Sequence, residues 1–191
     1  MTPKQWDAHF LRNDRFHMRP HPSLQKFVNL MKHRAFTSVI DLGCGSGNEI
    51  LELAEDGFKV MGIDFSPAAV DLAQKRLMDK GLPGRAAIAD LHEEIKAIAD
   101  SSYEACLAVN SLQYKTETEF RNTLKEIRRI LKTKGLLLLV VPSKEVKRST
   151  AHTGINFKED ELENELKKHF NIISFEPDAE GNFVIMAEEM S

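Results

Sequence analysis

Val39-Ile40-Asp41-Leu42-Gly43-Cys44-Gly45-Ser46-Gly47 decides how this chain is read. Two β-branched residues run into an acid, then into glycines at alternate positions, and a helical pattern follows. That order implies a buried parallel strand turning sharply into a helix, with glycine where backbone and ligand approach too closely for a Cβ. Asp41 makes the loop selective. A dinucleotide loop of the GxGxxG kind sets a pyrophosphate on the helix N-terminus, and a carboxylate two residues before the first glycine opposes that charge. The third glycine also comes one place early, with Asn48 where GxGxxG has glycine. The loop suits a ligand with a positive end.

Lys59-Val60-Met61-Gly62-Ile63-Asp64 reads as a second strand ending in an acid, followed by Phe65 and by Ser66-Pro67, an N-cap and a first helical residue. Asp64 falls about 20 residues past the glycine loop, where a nucleoside-binding α/β fold places a carboxylate on the ribose hydroxyls. Such a carboxylate takes two charge-assisted hydrogen bonds from a vicinal diol. Arg85-Ala86-Ala87-Ile88-Ala89-Asp90-Leu91 reads as a third strand with an acid at its end. For any one of these acids an N-cap or a solvated loop position is the plain alternative. Three in this order, at one edge of a sheet, are hard to reach by accident.

In these motifs the chain resembles the class I S-adenosylmethionine-dependent methyltransferases, over about residues 37–188. The resemblance implies S-adenosyl-L-methionine as cofactor. Its ammonium and sulfonium would be drawn by Asp41, and its length would lie along Gly43, Cys44, Gly45 and Gly47. Asp64 and Phe65 would meet the ribose side, Asp90 and Leu91 the adenine, and Asn110 the end of the fourth strand. The implied fold is Rossmann-like and doubly wound: a mostly parallel seven-stranded sheet, an antiparallel C-terminal hairpin strand, and helices on both faces.

A chain of 191 residues fits one domain. The expected division is a helical cover over 1–34 and a cofactor-binding core over 35–191. There is no room for the separate substrate domain that a nicotinamide dehydrogenase usually carries. The net charge of −3, from 26 basic and 29 acidic residues, offers no strong field to nucleic acid or an anionic membrane. The first ten residues hold Lys4, Trp6, Asp7 and His9 and lack the apolar core of a signal peptide. The longest aliphatic run, 136–141, is too short to span a bilayer. Cys44 and Cys106 suggest neither a disulfide framework nor a zinc site. A soluble cytoplasmic protein is expected.

Strands and helices alternate along most of the chain, which argues for a parallel sheet covered on both faces. Helices are expected over 22–34 (Leu24, Phe27, Val28 and Met31 on one face), 46–56, 67–80, a short stretch after Asp90, 117–134 and 158–169. In 117–134, Phe120, Leu124, Ile127 and Leu131 recur at helical spacing, and Lys132 and Lys134 suit a C-terminal end before Gly135. Strands are expected over 103–109, 136–141, 172–175 and 183–187. The short, turn-rich link 177–182 makes the last pair a hairpin.

The acceptor side is written less clearly. Methyltransferases acting on exocyclic amines of bases or on glutamine amides carry Asn or Asp, Pro-Pro and an aromatic after the fourth strand. Here Asn110 is followed by Ser111-Leu112-Gln113-Tyr114, so that chemistry is disfavoured. Tyr114 is either a pocket wall or packing. If a base is needed, Tyr114, His152 and His92 are the candidates, with His92 also suited to capping the next helix or meeting the nucleoside. The loop 143–154 is rich in Lys, Arg, Ser, Thr and His, as a solvated loop or as one facing the acceptor. His17 and His21 have the spacing of a metal pair, but Pro20 and Pro22 oppose a helix there and no third ligand stands out. No metal is expected. Trp6, Phe10, Phe16 and their neighbouring histidines suggest either a lid over the methyl end of the cofactor or a local staple. Trp6, Asp7, Phe10, Phe16-His17 and His21-Pro22 also resemble the entry segments of small-molecule methyltransferases of the thiopurine and tellurite-resistance kinds.

Three functions remain open at this stage. One is methylation of a small molecule by in-line displacement, which needs positioning and desolvation more than general catalysis. The second is methylation of RNA or protein, with or without a partner subunit, although no basic or aromatic nucleic-acid module is visible. The third is cofactor binding without turnover.

Overall fold

The computed structural model of the chain describes residues 3–12, 19–114, 116–144 and 154–190. Seven strands form one sheet: β1 (Ser38–Leu42), β2 (Lys59–Asp64), β3 (Gly84–Ile88), β4 (Tyr103–Val109), β5 (Leu131–Pro142), β6 (Phe170–Pro177) and β7 (Asn182–Glu189). Their order across the sheet is β3-β2-β1-β4-β5-β7-β6. β1 to β5 pair in parallel, and β7 runs antiparallel to both β5 and β6. The order reverses between β1 and β4. In open α/β sheets, ligands bind in the crevice outside the carboxyl ends of the strands at such a reversal.

The helices are α1 (Pro3–Arg12), α2 (Leu24–His33), α3 (Asn48–Glu55), α4 (Pro67–Asp79), α5 (Leu91–Ala97), α6 (Glu117–Ile130) and α7 (Glu159–Leu166). Alternate residues of each buried strand feed two apolar layers. Ile40, Leu42, Cys106, Leu137 and Leu139 pack with Phe120, Leu124 and Ile127 of α6 and with Leu162 and Leu166 of α7. Val39, Leu107, Leu136 and Leu138 pack with Leu24, Phe27, Val28 and Met31 of α2 and with Ile50, Leu51 and Leu53 of α3. The aliphatic run in β5 is thus buried on both faces, as a central strand covered by helices requires. The expected cover over 1–34 contains two different pieces: α2 belongs to the second layer, whereas no residue of α1 enters either one.

Several boundaries differ from the sequence reading, and two of the differences move residues singled out there. The helix expected over 117–134 stops at Ile130, and Leu131 opens β5, opposite Tyr103. Leu131 is buried in either arrangement, so helical spacing alone did not separate them. Leu131 leaves the helix directly into extended backbone (φ −76°, ψ 140°), and Lys134, at φ +62° before Gly135, lies further along the chain. The Lys132 ammonium contacts Glu104 at 3.2 Å instead of a helix C-terminus. The third strand ends at Ile88, and Asp90 lies beyond it as the N-cap of α5, accepting from the His92 N–H at 3.0 Å.

Candidate active site

The β1–α3 loop is folded back onto the end of β2. The Ile63 carbonyl accepts from the N–H groups of Gly43 and Cys44 at 2.8 and 3.0 Å. Cys44 turns its buried thiol toward Gly62, where a Cβ would stand 2.7 Å from the sulfur. Gly43 has φ +84°, and a Cβ there would be 2.4 Å from that of Ser111. Gly45, at φ +51°, would set its Cβ 3.4 Å from the Phe10 ring. From α4, Arg76 donates to the Ser46 carbonyl at 2.6 Å and to Asn48 Oδ1 at 2.9 Å, which holds the loop from its side.

Three carboxylates gather around this loop. Asp64 accepts from Gly45 N–H at 3.0 Å and from Ser66 N–H at 2.9 Å. Burial pushes its pKa up, and the N–H groups of Ser66 and Gly45 oppose the rise. Asp41 is 1% exposed, and its Oδ2 has no hydrogen-bond partner among the described residues. Burial drives its carboxyl well above the ordinary range, and the charges of Glu49 and Asp64 push it further. Glu49 faces the crevice from the first turn of α3; burial raises it too, against the His21 N–H that reaches Oε1 at 3.0 Å. A cationic ligand would relieve this crowding, whereas an anion would add to it.

α1 lies over the mouth of the crevice and is fixed to α4. Asp7 Oδ1 accepts from Ser66 Oγ at 2.6 Å and from Ala68 N–H at 3.0 Å, and Ser66 Oγ in turn accepts from Ala69 N–H. These bonds to Ser66 and Ala68 hold the Asp7 carboxyl below its usual range. Trp6 stacks on Phe10 with ring centres 5.9 Å apart and meets Tyr114 edge-on at 5.3 Å. Beneath lies a cavity of about 960 Å³, bounded by α1, the glycine loop, the β4–α6 loop and the β6–β7 turn. Behind α1, His21 joins Asp178 of that turn at 3.2 Å, and Asp178 also accepts from Asn182 and Glu180.

Of the residues singled out from the sequence, the cavity gathers Gly43, Cys44, Gly45, Asp64, Phe65, Leu91, Asn110 and Tyr114. Asn110 sits at the end of β4 with φ +52°, a conformation Asn tolerates better than most residues. Asp41, Gly47 and Asp90 are not in the lining. Asp41 is buried among the carboxylates, Gly47 lets α3 approach Ala73 of α4, and Asp90 caps α5. His92 is not placed as a base: it is buried, with Nδ1 2.5 Å from Thr123 Oγ1. His152, His17 and most of the 143–154 loop lie outside the described residues. Glu49, Ser111, Gln113 and Asp178 line the cavity and were not singled out beforehand. Glu49 had a signal, since the first turn after a ligand-binding glycine loop faces the ligand. Among the described residues no cluster of His, Cys, Asp and Glu is set to hold a metal, and no helix is long and apolar enough to cross a membrane.

A sheet of this strand order, with a glycine loop after β1 and a carboxylate at the end of β2, is of the kind that binds nucleoside cofactors at its switch point. Residues 39–135 match the family model described as a methyltransferase domain. The chain belongs to the class I S-adenosylmethionine-dependent methyltransferases. It is 34% identical over 109 residues to YqeM of Bacillus subtilis, which carries a provisional methyltransferase name; the match covers 55% of this chain and 42% of YqeM. It is 40% identical over 62 residues to ribosomal RNA small subunit methyltransferase C of Alcanivorax borkumensis, covering 32% of this chain and 19% of that one. Among solved structures it is similar to the 1,6-didemethyltoxoflavin-N1-methyltransferase of Burkholderia thailandensis, with a TM-score of 0.72 at 17% identity, over 100% of this chain and 92% of that one. The matched region spans less than half the length of the first curated relatives.

Proposed function

We propose that the chain transfers a methyl group from S-adenosyl-L-methionine to a small-molecule acceptor. The observation that carries this reading is the cavity of about 960 Å³ roofed by α1. It lies at the upper end of the size of small-ligand sites, which suits a cofactor and a small acceptor side by side. When bound, the cofactor supplies a methyl group on a sulfonium that is already a good leaving group.

In this reading Asp64 takes the ribose hydroxyls, and the backbone of Gly43, Cys44 and Gly45 runs along the cofactor. Phe65 and Leu91 flank the nucleoside. Asp41 and Glu49 attract its positive end, and the unpartnered Oδ2 of Asp41 fits a residue awaiting a cation. Asn110 and Tyr114 border the methyl end. α1 acts as the cover: it excludes water and holds the acceptor in line with the methyl group, an effect on rate through orientation and desolvation. A ribosomal RNA relative keeps a macromolecular acceptor as a second reading. The roofing of the cavity by α1 and the net charge of −3 favour the first.

The test is release of S-adenosylhomocysteine in the presence of thiols, amines, phenols and heteroaromatics, beside calorimetric titration with S-adenosylhomocysteine and NAD. Binding of NAD with no heat from the sulfur nucleoside would overturn the cofactor assignment. Turnover on RNA alone, lost steeply with salt, would move the acceptor to the second reading.

A further inference from the structure

Three residues that line the cavity near Tyr114 carry buried polar atoms without partners among the described residues. Gln113, on the short helical turn Leu112–Tyr114 after β4, is 4% exposed, and its Oε1 has no partner among the described residues. The residue is nevertheless held in place. Its main-chain carbonyl, distinct from the side-chain Oε1, accepts from Ile155 N–H at 2.7 Å, and Gly154 packs so closely that a Cβ there would be 3.0 Å from Gln113 Cγ. Trp6 Nε1 on α1 and Ser111 Oγ beside Gly43 are likewise buried without partners among the described residues. Buried polar atoms are nearly always paired, and an unpaired one carries a desolvation cost that a ligand group can remove.

These atoms differ in kind: the Gln113 carbonyl only accepts, the Trp6 indole N–H only donates, and the Ser111 hydroxyl does either. They stand among rings, with Trp6 between Phe10 and Tyr114. The acidic lining, Glu49, Asp64, Asp178 and Glu180, outnumbers the basic Arg19 and Lys144, and the Lys144 ammonium is 3.6 Å from Glu161.

We infer that the acceptor is a flat heteroaromatic molecule without negative charge, bearing both a hydrogen-bond donor and an acceptor, and that Gln113 selects it by accepting from the donor while Trp6 donates to the acceptor. The inference rests on the methyltransferase reading of the same cavity. An anionic acceptor would set its charge against the Gln113 carbonyl and the surrounding carboxylates. A purely apolar one would leave Gln113 and Trp6 unpaired, and a site built to bond polar groups discriminates strongly against ligands that lack them.

Trp6 is the only tryptophan of the chain, so its emission reports on this end of the cavity. The experiment saturates the protein with S-adenosylhomocysteine and titrates three flat probes of similar size, following Trp6 fluorescence. They are benzimidazole, 1-methylbenzimidazole (which lacks the donor) and benzoate (which is anionic). Benzimidazole should bind about fivefold more tightly than its methylated form, as loss of one hydrogen bond implies, and about tenfold more tightly than benzoate. Gln113→Leu should erase the first preference while calorimetry shows an unchanged affinity for S-adenosylhomocysteine. Gln113→Met repeats the comparison if the leucine variant unfolds. Benzoate binding as tightly as benzimidazole, a preference that survives both substitutions, or no saturable response to any probe would overturn the inference. Failure of S-adenosylhomocysteine to bind would instead overturn the reading on which it rests.

Discussion

Asp64→Asn separates the two tasks that the structure gives to one carboxylate. Asp64 accepts from Gly45 N–H with one oxygen and from Ser66 N–H with the other. Asparagine keeps one acceptor and turns an NH₂ group toward the remaining N–H, so a bond is lost and two donors face each other. A hydrogen bond to a charged group contributes about 1.5–3 kcal/mol. In a chain of this length that corresponds to a fall in Tm of about 3–12 °C. If the same carboxylate also takes the ribose hydroxyls, the loss of one such bond lowers affinity for S-adenosylhomocysteine roughly 10- to 150-fold. Calorimetric titration near pH 7.5, beside thermal unfolding without ligand, measures both quantities. A variant whose Tm falls while its affinity stays within about threefold of the parent would show that Asp64 only braces the glycine loop. That result would refute its assignment to the cofactor. Because burial raises its pKa, acid should weaken cofactor binding at a higher pH than an ordinary aspartate would allow.

Asp41→Asn should act in the opposite sense on the ligand-free protein. The folded-state pKa of Asp41 is raised, so its ionisation opposes folding above the ordinary aspartate value of about 3.9; the variant should be more stable at pH 7 by chemical unfolding, the gain should shrink toward pH 4, and cofactor affinity should drop. Glu104 lies on the other side of the balance. Burial disfavours its charge, but the N–H groups of Thr37 and Ser38 and the Lys132 ammonium outweigh burial and hold its carboxyl at about 2. Its contribution is therefore fully present above the unfolded value near 4.3 and is lost as pH falls through about 2. Glu104→Gln should cost about 1–2 kcal/mol in urea unfolding at pH 7, discounted for its exposure to solvent, and progressively less between pH 4 and 2. Removing residues 1–19 should leave cooperative unfolding and cofactor binding intact, since α1 enters neither apolar layer, but slow single-turnover methyl transfer at least tenfold, about 1.4 kcal/mol in the barrier. A shortened chain that no longer folds, or one that turns over normally, would show that α1 is not a cover.

The glycine-loop end of the candidate site was legible because backbone geometry dictates it. A strand that must end, turn through positive φ and start a helix leaves few choices of residue at Gly43 and Gly45, and a carboxylate at the end of β2 follows from the same topology. Where side-chain identity fits two local structures, legibility stops. Leu131 continues the helical spacing of Phe120, Leu124 and Ile127 and also opens β5, buried in both cases, so only the pairing with Tyr103 decides. Asp90 satisfies an N-cap and a nucleoside contact equally well on paper; the geometry shows it capping α5, which does not decide the nucleoside contact.

The acceptor half is assembled from places far apart in the chain, and that is why its chemistry could not be read in order. His21 meets Asp178 across 157 positions, and Trp6 meets Tyr114 across the whole cofactor-binding half. Gln113 shows the limit most plainly. In sequence it is one polar residue between Leu112 and Tyr114, a natural loop position with no periodic signal. In the fold it is nearly sealed from solvent, with Gly154 packed against it and a carbonyl oxygen left without a donor. Cofactor recognition is constrained by main-chain shape, which local sequence records. In the proposed reading, acceptor recognition rests on which side chains the topology brings to one cavity, and a single substitution at Gln113 should change it without disturbing a strand, a helix or the glycine loop. The donor and acceptor sides should therefore respond independently to mutation. Gln113→Leu should alter probe preference at constant S-adenosylhomocysteine affinity, and Asp64→Asn should alter that affinity at constant probe preference.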